Sequence, residues 1–393
     1  MAKTVWSDEA VYVTKNVPGN TSVSLFTGLS RQVPLKDLKK EAPEAYHAVE
    51  AISKDHSFKA AKSVLIRENG SGLLPTVLAK VCSSKVFKIS VWTADVLPAI
   101  QKNLEVNHLE RVVSLSIDGL DVGYRANVAI LVHENYQSCD TILYEISMLL
   151  QKCADVLFVV SHKNKGIETI LEKLKATNEV QIDSVQQGMG GARVIKLSKL
   201  GTLSPNLNLG SFSQFVARGV KVAFDTGMSL FSSEHIDEGS RLLIKYVVGS
   251  TPKSSELTIY DMGCGYGALG ISLAKALGAQ VIMSDVNSRA VAVTERNIKN
   301  QGLEKRAKVL LSDGADGITG EYDLVVSNPP LHIPKSNLVR VIRSGRNKAR
   351  KGGRFVIVVE DSRASEIREL LEPFFYLKVV KKTKNHVILE NKK

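Results

Sequence analysis

Cysteine is scarce in this chain of 393 residues. Cys82, Cys139, Cys153 and Cys264 stand far apart, with no C-x-x-C and no paired histidines beside them. Neither a disulfide framework nor a zinc site is expected, and the default setting is reduced and cytoplasmic. Long apolar runs are missing too; none approaches the roughly 20 residues of a membrane-spanning helix. The opening MAKTVWSDEAVY lacks the basic, apolar and small-residue order of a secretory signal. What remains is an ordinary soluble composition, 44% hydrophobic and 23% charged, with a length that suggests two domains.

Acidic charge is also short. The formal net charge is +12, and it is uneven: residues 1–200 carry 24 Lys and Arg against 21 Asp and Glu, the remainder 28 against 19. A basic surface concentrates polyanions such as RNA or DNA, although charge of this kind can serve solubility alone.

The chain repeats itself. VLIRENGSGLLPTVLAK (64–80) and IYDMGCGYGALGISLAK (259–275) align with Gly70 on Gly265, Gly72 on Gly267 and Lys80 on Lys275, all at an offset of 195. Further on, Asn103 falls on Asn297 at 194 and Asp118 on Asp313 at 195. A series at nearly constant offset argues for two copies of one domain, and the period is far too long for a solenoid. SKLGTLSPNLNLGSF (198–212) is turn-rich and is the expected linker.

Each copy alternates strands and helices. In the second, LTIYDM, QVIMSDV, AKVLLSD and EYDLVVSNPP read as strands, and GALGISLAKAL and SRAVAVTERNIKNQG as helices. RFVIVVED follows a Gly-Gly turn, and YLKVVKKTKNHVILE closes as an antiparallel hairpin. The pattern predicts an α/β fold, a mostly parallel, doubly wound sheet in each copy.

Ligands of such sheets bind outside the carboxyl ends of the strands, where four features of the second copy fall. They are D-M-G-C-G-Y-G (261–267), Asp285, Ser312-Asp313 and Asn328-Pro329-Pro330. Singly each is weak: a glycine loop is often a tight turn, a strand-end Asp often a helix cap. In order they describe a nucleoside-cofactor site. Gly263, Gly265 and Gly267 allow close backbone approach, Asp285 can accept ribose hydroxyls, and Asp313 can accept an adenine amino group. Asp261 precedes G-x-G-x-G rather than the G-x-G-x-x-G of a pyrophosphate site. Negative charge there suits a cofactor with an ammonium and a sulfonium, S-adenosylmethionine rather than NAD.

These motifs together resemble the class I S-adenosylmethionine-dependent methyltransferases, and within them the bacterial ribosomal RNA guanine-N2 methyltransferases of the small- and large-subunit type. Those enzymes carry a Phe-Ser, an Asp and a helix before the glycine loop; here LFSSEHIDEGSRLLI supplies Phe231, Ser232 and Asp237. Their fourth-strand motif is typically N-P-P-F-H, and this chain has N-P-P-L-H. Motif-level likeness spans residues 215–393; over 1–200 it is architectural. The resemblance implies two tandem Rossmann-like domains. Residues 1–200 would be a degenerate copy without cofactor, since Ile66, Glu68 and Gly70 replace Asp261, Gly263 and Gly265 and no N-P-P follows. Residues 213–393 would be catalytic. Phe231 and Asn328 join the expected cofactor contacts, and ribosomal RNA or a ribosomal subunit is the expected partner, with no metal and no membrane.

An exocyclic amine on a base is a poor nucleophile, so such an enzyme must orient it rather than deprotonate it. The Asn328 side-chain oxygen and a carbonyl in the turn, that of Pro329, can draw its hydrogens aside. Pro329 biases Asn328 to extended angles, and neither Pro329 nor Pro330 has an N–H to compete. Prolines also simply end strands. Leu331 and His332 are the expected base contacts. Leucine packs against a base more weakly than an aromatic would, and a loop histidine is often only solvated. In NLVRVIRSGRNKARKGGRF (337–355), which holds no acid, Arg340, Arg343, Asn347 and Lys351 would share one helical face toward phosphates. Such a run is also commonly a solvated face. An adenine-N6 nucleic-acid methyltransferase, a glutamine-N5 protein methyltransferase and a non-catalytic RNA-binding assembly factor are the competing readings.

Overall fold

A computed structural model describes residues 12–17, 21–26, 43–70, 72–119, 121–133, 137–203, 210–226, 235–331 and 333–393. The chain splits into two compact units, Met1–Leu207 and Asn208–Lys393. The first opens with an antiparallel pair, β1 (Tyr12–Val17) and β2 (Thr21–Phe26). Its main sheet contains β3 (Ser63–Arg67), β4 (Val86–Val91), β5 (Val113–Ile117), β6 (Val128–Val132), β7 (Val156–His162), β8 (Val180–Gln187) and β9 (Ala192–Lys199). Their order is β5-β4-β3-β6-β7-β9-β8. β3 to β7 run parallel, and β9 pairs antiparallel with both β7 and β8.

Alternation along β3 shows why this sheet is covered on both faces. Val64 and Ile66 enter one core cluster with Phe87, Ile89 and Ile130, while Leu65 enters another with Ala129, Leu131 and Leu157. Strands buried on both sides must read as continuous apolar runs, and SVLIR and VAILV do.

The second unit begins with a hairpin, β10 (Gly210–Phe215) and β11 (Lys221–Thr226). Its main sheet holds β12 (Thr258–Met262), β13 (Gln280–Asp285), β14 (Ala307–Leu311), β15 (Tyr322–Ser327), β16 (Ala349–Glu360), β17 (Lys378–Lys382) and β18 (His386–Lys392). The order β14-β13-β12-β15-β16-β18-β17 repeats that of the first sheet. Both units are therefore Rossmann-like, and the C-terminal antiparallel hairpin expected of the second has a counterpart in the first. The turn-rich linker is shorter than its composition suggests, because Ser198–Lys199 end β9 and Gly210–Phe212 already belong to β10.

The basic run is a second departure. Its helix is Lys335–Asn347, and Ala349 starts β16, so Lys351 lies on a strand rather than on the helical face with Arg340 and Arg343. The Tyr322 N–H donates to the Lys348 carbonyl, and Tyr322 pairs with Ala349 in the sheet. Strand pairing thus overrides the helical spacing. Because Tyr322 begins β15 and Ser327 ends it, Lys351 sits at the amino edge of the sheet, opposite Asn328. Among the described residues, no helix is long and apolar enough to cross a membrane, and no cluster of three His, Cys, Asp or Glu is placed to hold a metal ion.

Candidate functional site

The strand order of the second sheet reverses between β12 and β15, which makes a crevice over their carboxyl ends. β12 runs into Asp261 and Met262 and the chain then turns sharply, with φ of +72° at Gly263 and +57° at Gly265. A Cβ placed on either glycine would meet nothing within 4 Å, so open space lies over both. Gly267 is different: a Cβ there would come within 2.8 Å of Ile271, and its absence lets the Ala268–Leu277 helix pack closely. The loop is fixed from the next strand. The Gly263 and Cys264 N–H groups donate to the Ser284 carbonyl at 2.8 and 2.9 Å, and Thr294 Oγ1 donates to the Gly265 carbonyl at 2.7 Å.

Asp261 is fully buried. Its Oδ2 accepts the Gly270 N–H at 2.8 Å, whereas Oδ1 is buried without a hydrogen-bond partner. Burial pushes its carboxyl up to about 7, the nearby Asp285 adds to the push, and the Gly270 N–H opposes it. A buried carboxyl oxygen left unpaired is costly unless something fills it. Together with the open cradle over Gly263 and Gly265, it fits a cofactor that brings positive charge.

Asp285 ends β13, with Oδ2 accepting the Gly265 N–H and Oδ1 the Asn287 N–H, both at 2.9 Å. It braces the glycine loop and stands half-buried at the rim. Asp313 follows β14, where Arg340 donates to its Oδ2 at 2.7 Å. Two residues expected in separate roles, one for adenine and one for phosphate, are thus paired with each other. Tyr260 steadies the same loop by donating to the Gly314 carbonyl at 2.9 Å and bonding Ser284 at 2.7 Å.

Asn328 leaves β15 at the other side of the crevice. Its amide nitrogen donates to Asp237 Oδ1 and to Ser240 Oγ, each at 3.1 Å. A carboxylate can only accept, so the atom facing Asp237 must be the NH2, and the amide oxygen is turned the other way. Asp237 Oδ1 also caps the Glu238–Ser250 helix, accepting the Ser240 N–H at 2.9 Å. Pro329 is buried and Pro330 exposed, while Ser327 Oγ ties the strand end to the Met262 carbonyl at 2.7 Å.

Not every expected contact gathers here. Leu331 is 8% exposed and packs in the core with Leu338 and Ile357, so it supports the turn rather than offering a face to a base. Arg343 stacks on Phe374, its guanidinium 3.6 Å from the ring centre. Lys351 is at the far edge of the sheet, as described above. Phe231, Ser232 and His332 lie outside the described residues. Sequence reasoning missed Ser240 altogether. Its only local signal is its place in the first turn after Asp237, and 88 residues separate it from the amide it holds.

Residues 221–390 match the family model described as Methyltransferase small domain. The uncharacterized protein YbxB of Bacillus subtilis is 30% identical over 184 residues, which span 46% of this chain and 90% of that protein. Ribosomal RNA small subunit methyltransferase C of Chromohalobacter salexigens is 30% identical over 222 residues, 53% of this chain and 63% of that relative's length. The structure of the T. thermophilus 16S rRNA N2 G1207 methyltransferase (RsmC) in complex with AdoMet and guanosine is similar with a TM-score of 0.72 at 19% identity. It covers 99% of both chains and shows that the two-unit fold is shared from end to end. The chain belongs to the methyltransferase small domain family, within the class I S-adenosylmethionine-dependent methyltransferases.

Proposed function

We propose that this chain transfers a methyl group from S-adenosylmethionine to the exocyclic N2 amine of a guanine in ribosomal RNA, in the cytoplasm, on the RNA itself or on a ribosomal subunit. The observation that carries this reading is the clamped amide of Asn328, whose nitrogen is engaged by Asp237 and Ser240 and whose oxygen is left to accept. The relatives and the solved structure described above support the choice of rRNA and of guanine.

Asp261, Gly263, Gly265 and Asp285 would hold the cofactor, which supplies an electrophilic methyl group on a cationic sulfur. The chain's own contribution is orientation. The Asn328 oxygen and the carbonyl of Pro329 accept the two amine hydrogens, which turns the nitrogen lone pair out of the ring plane and toward the methyl carbon. The nitrogen that takes the methyl group would gain positive charge, and the two oxygen acceptors would stabilise it there. Its surplus proton then passes to water. VVSNPPLHIP contains no carboxylate to serve as a base, and this chemistry needs none. A paired guanine must leave its helix to reach this corner.

In the first unit the buried carboxyl of the crevice is missing, with Ile66 in the place of Asp261, and a buried ion pair takes the place of Met262. Arg67 is fully buried and donates to Ser90 Oγ, to the carbonyls of Asp118 and Gly119, and to the Glu145 carboxylate. We read this unit, expected as residues 1–200, as a degenerate copy that binds no cofactor and supports folding or RNA binding.

Asn328→Ala tests the proposal. Transfer of labelled methyl to rRNA should fall about 10²–10³-fold, the usual cost of removing a preorganised electrostatic partner. Calorimetric affinity for S-adenosylmethionine should stay near wild type. Full activity of the variant, or labelling of DNA or protein fractions in place of rRNA, would refute the reading.

A further inference from the structure

The second unit carries a basic, aromatic groove along the helix whose amino end holds Asn328, and the methyl-transfer chemistry does not use it. It is a cavity of about 520 Å³ between the β10–β11 turn and the Glu238–Ser250 helix. Phe215, Val216 and Arg218 line it from the turn, Arg241, Lys245 and Val248 from the helix. Phe215 is 71% exposed, the most exposed large hydrophobic side chain among the described residues. Its ring is the one aromatic face among the residues that line the groove.

The groove is built rather than incidental. Arg218, at a left-handed φ of +63°, donates to the carbonyls of Val248 and Thr251 at 2.9 and 3.2 Å, pinning the turn to the helix's carboxyl end. Gln214 Oε1 accepts the Ile236 N–H at 3.1 Å, pinning the adjoining strand beside the helix's amino end. Phe215 is therefore held between two anchors. Arg241 and Lys245 are exposed, and neither side chain makes an ion pair among the described residues. They follow Asp237 by four and eight residues, so all three lie along one side of the helix, about 6 and 12 Å from its start. Asp237 is the residue that holds Asn328. The groove thus leads away from the catalytic corner along a line of positive charge.

We propose that this groove binds the single-stranded RNA flanking the target guanine, with one base stacked on Phe215 and neighbouring phosphates on Arg241 and Lys245. The occupant follows from charge and continuity. A polyanion matches two unpaired cations, a nucleobase matches a bare ring, and the strand carrying a base into the Asn328 corner must leave it along some path. This inference rests on the proposed RNA substrate, and it adds where that substrate lies outside the reacting base.

The test is fluorescence-anisotropy binding of single-stranded rRNA fragments to the full chain across a salt series, with ultraviolet crosslinking to locate the RNA. Phe215→Ala should weaken binding on the order of 10-fold, and Phe215→Trp should restore it. Arg241→Gln with Lys245→Gln should flatten the log–log salt dependence by about 1.4, the value for two phosphate contacts on a single strand. All three positions are exposed, and Lys245→Glu gives a further surface variant, expected to weaken binding at low salt. Crosslinks should map to the Phe215 peptide. RNA affinity and salt slope that ignore all of these changes, or crosslinks confined to other surfaces, would overturn the groove assignment while leaving methylation intact. Conversely, wild-type protein that methylates no RNA yet still binds it through Phe215 would overturn the proposed function and keep the groove.

Discussion

The two sheets share strand order and loop register, yet their carboxyl edges are made of opposite materials. In each, the first residue beyond the central strand donates its N–H to the same neighbour: Gly263 to the Ser284 carbonyl at 2.8 Å, Glu68 to the Ser90 carbonyl at 3.1 Å. From that anchor, Met262 corresponds to Arg67 and Asp285 to Val91. One edge keeps a carboxyl with an unfilled oxygen, two glycines facing open space and a half-buried Asp. The other has the apolar Ile66 in line with Asp261 and, on the opposite face of its sheet, a guanidinium in the place of Met262 that bonds Ser90, Asp118, Gly119 and Glu145 and lies 5.1 Å over Trp92. The same topology thus carries an unfilled carboxyl at one edge and an apolar residue with a buried ion pair at the other, and a handful of side chains makes the difference.

The largest effect that would break this comparison is on stability. Arg67→Ala should destabilise the first unit by about 3–5 kcal/mol, because it breaks the buried ion pair with Glu145. The double change Arg67→Met with Glu145→Leu, which makes that edge apolar, should recover most of the loss. Denaturant unfolding of the full chain reads both, and a single variant as stable as wild type would show that the buried pair is dispensable.

A smaller effect concerns the clamp. Asp237→Asn keeps a side-chain oxygen for the helix cap but no longer dictates which way the Asn328 amide points. The turnover number should drop about 10²-fold with little change in KM or melting temperature. A drop confined to KM would assign Asp237 to substrate binding instead.

Next comes pH. The Asp261 carboxyl is raised to about 7, so the folded chain holds this proton more tightly than the unfolded one does. Its contribution to stability is fully present below about pH 4 and is lost as pH rises through 7. A cationic cofactor reverses the preference by favouring the ionised form. Affinity for S-adenosylmethionine should therefore rise up to tenfold per unit as pH increases toward 7 and level off above it. Calorimetry at pH 5.5, 6.5 and 7.5 checks the slope, and a flat profile would detach Asp261 from the cofactor.

The smallest expected effect is none. Glu68→Gly restores a glycine to the first loop but leaves Arg67 and Val91 in place. Stoichiometry should remain one cofactor per chain by calorimetry; two would mean that Glu68 alone had been the obstruction.

How much of this was legible in the chain depends on the range of the interaction. The strands that carry Asp261, Asp285 and Asn328 were readable because their apolar runs end at a polar residue, while the strand before Asp313 is a sheet edge with Lys308 and Leu310 exposed. Asp237 was visible as part of a motif, but nothing local says that it holds Asn328, 91 residues away. Lys351 was misplaced because a charge pattern cannot compete with the pairing of Ala349 to Tyr322, which only the assembled sheet supplies. Nothing in the sequence around Arg67 announces its burial, which comes with a partner, Glu145, 78 residues on.

The dual duty of Asp237 Oδ1 carries a consequence for how the protein fails. One oxygen both caps the first turn of a helix and aims the amide at the corner of the sheet. Fraying of that turn, the cheapest local opening a helix has, releases the amide while every strand stays paired. Warming or mild denaturant should therefore silence the protein well before it melts.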